Sequence, residues 1–72
     1  MGAHSDLEGM AYGALYEAYV AYVQVAVLDQ IMEIDDARMA AWKLAQDEGA
    51  SILVARTAGL KAAVVRAREL GM

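Results

Sequence analysis

The sequence predicts an all-α protein: an antiparallel helical hairpin of two long helices that assembles with further copies into a dimeric four-helix bundle or a larger helical oligomer. Three observations point there. The 72 residues contain no proline and only six glycines, so long helices meet few breakers. Sixteen of them are alanine, the strongest helix former. A chain this short buries only about 60% of the surface that its unfolded form exposes, and small domains of that kind usually need a staple. With no cysteine and a single histidine, neither a disulfide nor a thiolate or His-rich metal site is available. Self-association is the staple that remains.

Residues 1–6 read as a flexible leader or cloning remnant ahead of one helical-hairpin domain over 7–72. No basic stretch precedes an apolar core there, which argues against a secretory signal and for a cytoplasmic protein. Asp6 stands where myristoylation would need Ser or Thr. His4 reads as a solvated terminal residue, and Ser5 or Asp6 as an N-cap.

Helix 1 is expected over about 7–34, roughly 42 Å long at 1.5 Å per residue. Between Met10 and Leu28 only Glu17 and Gln24 are strongly polar, seven residues apart and so nearly on one line. A helix apolar nearly all round belongs in a bundle core, a filament or a membrane. Glu17 near the centre and tyrosines through the middle argue against spanning a membrane. Tyr12, Tyr16, Tyr19 and Tyr22 share one broad face, read either as a half-buried boundary stripe or as a binding surface. Val20, Val23, Val25 and Val27 lower the intrinsic helicity, so packing must hold this helix.

Glu33–Ala37 is the expected turn, with Asp35 or Asp36 capping helix 2 over about 36–70. No glycine marks a C-cap there, so a helix running on to Gly49 is the alternative. Trp42, Gly49, Arg56, Ala63 and Leu70 recur every seven residues, beside Gln46, Leu53, Leu60 and Ala67, which gives a two-position coiled-coil seam. Gly49-Ala50-Ser51 offers a second possible break, with Ser51 as a cap for a third helix. A reversal near Asp35-Asp36 would pair residues whose numbers sum to roughly 71–73, since both arms rise equally per residue. That register sets Glu17 opposite Arg56 as a buried pair fixing alignment, within a chain or across a dimer.

Charge is segregated. Residues 1–35 hold six acids and no base, whereas all six bases lie in 36–72 with four acids, so the halves carry −6 and +2 and favour pairing with one another.

No catalytic constellation, cofactor motif or metal site is legible. The only imidazole, His4, reads as part of a solvated end, no thiol exists, and the glycines do not form a phosphate-binding loop. Asp29, Glu33 and Asp36 share a helix face but read as a solvated acidic end. The function expected is therefore non-enzymatic: a small adaptor or regulator that contacts its own copies and another protein. The expected surface is Tyr12, Leu15, Tyr16, Tyr19, Tyr22, Val23 and Val27 on helix 1, with Trp42, Leu53 and Leu60 on helix 2. A self-assembling structural subunit is one alternative. Binding of nucleic acid or an anionic lipid surface through Lys61, Arg66 and Arg68 is another, disfavoured by the acidic total of −4.

Overall fold

The structure is a computed structural model and describes residues 9–72. It is all-helical over that range, with three helices instead of two: α1 (Tyr12–Val25), α2 (Leu28–Asp47) and α3 (Ile52–Glu69). The readings of a leader over residues 1–6, of His4, of a cap at Ser5 or Asp6 and of a helix starting at Leu7 lie outside the described residues.

The predicted helix over 7–34 is interrupted at Ala26 and Val27, which are both extended, with ψ of 148° and 167°. Neither glycine nor proline is needed. Val25 and Val27 are β-branched and lower the cost of leaving the helix. The Val27 backbone N–H then donates to Oε1 of Gln30 at 3.0 Å, so the third residue of α2 satisfies a donor at its start. Asp29 in the first turn complements the positive end of α2.

The predicted reversal at Asp35-Asp36 is absent, because α2 runs through both residues. The chain turns instead at Gly49. The Gly49 N–H donates to the Gln46 carbonyl at 2.9 Å and the Ala50 N–H to the Ala45 carbonyl at 3.0 Å, the two bonds of a Schellman cap. That cap requires a left-handed residue, and Gly49 has φ +87°. Ser51 then caps α3, its Oγ accepting from the Val54 N–H at 3.2 Å. The seven-residue seam through Trp42, Gly49 and Arg56 therefore crosses a turn and is no continuous coiled coil.

Moving the turn moves the register. Gly59 lies against Arg38 and Trp42, and Arg66 pairs with Glu33, so facing numbers of α2 and α3 sum to about 97–101 instead of 71–73. Glu17 is consequently not opposite Arg56 within the chain. Glu17 is exposed on α1, and the Arg56 guanidinium lies 5.8 Å above the Trp42 ring.

α3 is the central helix. It packs against both α2 and α1 and supplies most of the buried residues: Ala55, Gly59, Leu60, Ala63, Val64 and Ala67. Ala55, Gly59, Ala63 and Ala67 recur every fourth residue and form a shallow row into which α2 settles. At Gly59 the approach reaches the backbone: a Cβ there would stand 2.9 Å from the Arg38 carbonyl oxygen. Two apolar clusters follow from this arrangement. Leu15, Leu60 and Val64 join α1 to α3, while Ile34, Ala63 and Ala67 join α2 to α3, with Tyr19 and Tyr22 packed against both.

Candidate functional site

Of the residues expected to form an intermolecular surface, several belong to the interior. Leu15 is fully buried and Leu60 nearly so. Tyr22 packs on both clusters, and Tyr19 does so while its hydroxyl donates to Oδ1 of Asp35 at 2.6 Å. The tyrosine face is thus divided by depth. Tyr12, Tyr19 and Tyr22 pack on the buried clusters, whereas Tyr16, stacked on Tyr12 at 6.3 Å, stays half exposed. Val23 is half-buried; Val27 and Leu53 are exposed.

One polar chain ties the three helices together. Asp35 accepts from Tyr19 of α1 and from Nε of Arg38 at 3.2 Å. The Arg38 guanidinium lies 5.6 Å from the Tyr19 ring and 5.7 Å from the Trp42 ring, whose surroundings also include Arg56 of α3. Trp42 is therefore flanked by two cations. The Tyr19 hydroxyl bond, followed by Arg38, holds the Asp35 carboxyl below its ordinary range against the opposing effect of burial. Burial first, then the bond to Asp35, pushes the Tyr19 phenol upward.

The bases offered for anion contact are partly engaged. Arg66 pairs with Glu33 of α2 and, at 3.2 Å, with Glu69; these carboxylates, Glu33 foremost, raise its pKa. Lys61 is half-buried and Arg68 exposed on the same helix. Of the three acids considered for a cation, Glu33 is thus committed to Arg66, and among the described residues no group of three acidic, His or Cys side chains could hold a metal ion. No described helix is long and apolar enough to cross a membrane.

What stands out is the large apolar surface left uncovered. Leu28, Met32 and Met39 on α2 are 71%, 56% and 55% exposed and lie along the side not taken by α3. At the end of this line Met39, Trp42, Lys43, Gln46 and Asp47 form a groove of about 480 Å³. Val25 and Val27 are exposed where α1 meets α2; Leu44, Ile52, Leu53 and Val54 are exposed around the α2–α3 turn. The α2 line was missed in sequence because a turn assigned to Asp35-Asp36 cut it in two. Its 28-32-35-39-42-46 spacing, alternating four and three, was the available signal.

Comparison with protein-family models, with curated proteins and with solved structures returns no match, so function must be read from this chain's own residues.

Proposed function

We propose that the protein is a non-enzymatic, self-associating helical interaction module, an adaptor or regulator acting in the cytoplasm, with α2 and the exposed Tyr16 edge of α1 as its contact surfaces. The observation that carries this reading is the mismatch between core and surface. Among the described residues, those that α3 buries are mostly alanine or glycine, while ten large apolar side chains, among them Leu28, Met32 and Met39, remain more than half exposed. Exposed apolar surface marks interaction sites where it gathers on one face, and a second copy is a partner always present.

Light scattering on the intact chain across concentration tests the proposal. The expected result is a mass that rises to a multiple of 7.7 kDa; a monomer at every concentration overturns it. A second reading, a structural subunit that polymerises end to end, is favoured by one observation. Val25 and Val27 lie at one end of α2 and Leu44, Ile52 and Leu53 at the other, about 30 Å apart along a helix of this length. Polymers in the same experiment would select it.

A further inference from the structure

We infer that the outward face of α1 of one copy seats on the open groove beside Trp42 of a second copy, with Glu17 against Arg56; this rests on the self-association proposed above. α1 covers only part of the α2–α3 pair. Tyr19 reaches Asp35 and Arg38, and Tyr22 packs on the cluster of Ile34, Ala63 and Ala67. One turn further along α2 the Arg38 guanidinium lies against Trp42, and there Met39, Trp42, Lys43, Gln46 and Asp47 line a groove of about 480 Å³ to which α1 contributes no residue. Arg56 of α3 stands beside it, over the Trp42 ring. Trp42 is half-buried, whereas Met39, Lys43 and Arg56 are exposed.

The charges around this groove leave one base over. Arg38 is held by Asp35, and Lys43 is offset by Asp47 four residues on. Arg56 has no carboxylate partner among the described residues. A guanidinium lying against an indole keeps N–H donors for an acid. The outward face of α1 supplies that acid. Glu17 is the only charged residue from Tyr12 to Val25, is exposed, and pairs with no base among the described residues. Gly13, Ala14 and Ala21 lie on the same side of the helix and are exposed too, so nothing bulky keeps Met39 and Trp42 of the second copy from closing on Glu17. Glu17 and Arg56 are not opposite one another within a chain, yet every chain carries both, so two copies facing each other make the contact twice.

The test is charge exchange between intact chains, read by sedimentation, with circular dichroism confirming unchanged helicity. Glu17→Arg alone and Arg56→Glu alone each set like charges at both contacts and are expected to raise the dimer dissociation constant roughly tenfold. Mixed in equal amounts, each variant supplies the charge that the other lacks, and the mixture is expected to associate to within about threefold of the wild type. Two damaged folds would not recover on mixing. If the wild type associates but the mixture is no tighter than either variant alone, the contact between Glu17 and Arg56 is overturned while self-association stands. A wild type that never associates overturns both proposals and leaves the groove to a different protein.

Discussion

The inner face of α3 and the outer face of α2 invert the usual relation between side-chain size and burial. On α3 the residues removed from water are mainly small: Ala55, Gly59, Ala63 and Ala67, with Leu60 and Val64 beside them. On α2 the large ones, Leu28, Met32 and Met39, are left in water. Small residues at every fourth position let two helices approach until backbone nears backbone, as at Gly59 and Arg38. That geometry gives a well-packed interior with little apolar area per residue. The contrast teaches that α3 organises the single chain, while α2 carries surface that the single chain does not use.

Substitutions that remove what little bulk the interior has should break this comparison most severely. Leu15→Ala and Ile34→Ala each empty a fully buried site and should cost about 2–5 kcal/mol. That is a large share of the stability of so small a protein, and urea denaturation would show a lowered midpoint or outright unfolding.

Gly59→Ala probes the small-residue row from the opposite direction. The added methyl meets the Arg38 carbonyl oxygen at 2.9 Å, and overpacking of about 1–3 kcal/mol should exceed the gain of up to ~1 kcal/mol in helix propensity. An equally stable or stabilised variant would show that the row is not a tight contact.

The polar link between the faces has a pH signature. Asp35 is held below its ordinary pKa, so its contribution is present above the unfolded value of about 3.9 and is lost as pH falls through the folded value. Asp35→Asn should cost about 1 kcal/mol near neutrality, reduced by the partial exposure of the site. The difference between variant and wild type should fade below about pH 4. Thermal melts at both pH values check this. Tyr19 carries the opposite sign: its raised pKa preserves its contribution up to the ordinary phenol range near 10 and loses it as pH rises through the folded value.

The smallest stability effect is expected on the outer face. Met32→Ser together with Met39→Ser should change chain stability by no more than about 0.5 kcal/mol per site when melts are compared at concentrations where association is negligible.

Much of the helical character was legible in composition alone, because alanine richness and the lack of proline admit little else. The division into helices was legible only in part. Gly49-Ala50-Ser51 carries the signature of a C-cap followed by an N-cap, and the chain turns there. Ala26-Val27 carries only β-branched neighbours and Gln30, a weaker signal than the Asp35-Asp36 pair that competed with it. Those acids resemble a cap, but Tyr19 and Arg38 engage Asp35 within a helix instead, a tertiary contact that local reading does not supply. The alanines were the larger omission. Counted in the sequence only as helix formers, Ala55, Ala63 and Ala67 are the row on which α2 packs, and a period of four through Gly59 was present in the sequence to show it. Placing the turn at Asp35-Asp36 also hid the surface of α2, since a seam is visible only along an unbroken helix.

The most direct measurement is sedimentation velocity of the wild type and of the Met32→Ser, Met39→Ser double variant, each followed from low to high micromolar concentration. The wild type should move from the 7.7 kDa chain to twice that mass, and the variant should remain a single chain with unchanged helicity. Association of both proteins with equal affinity would contradict the assignment of the contact to α2.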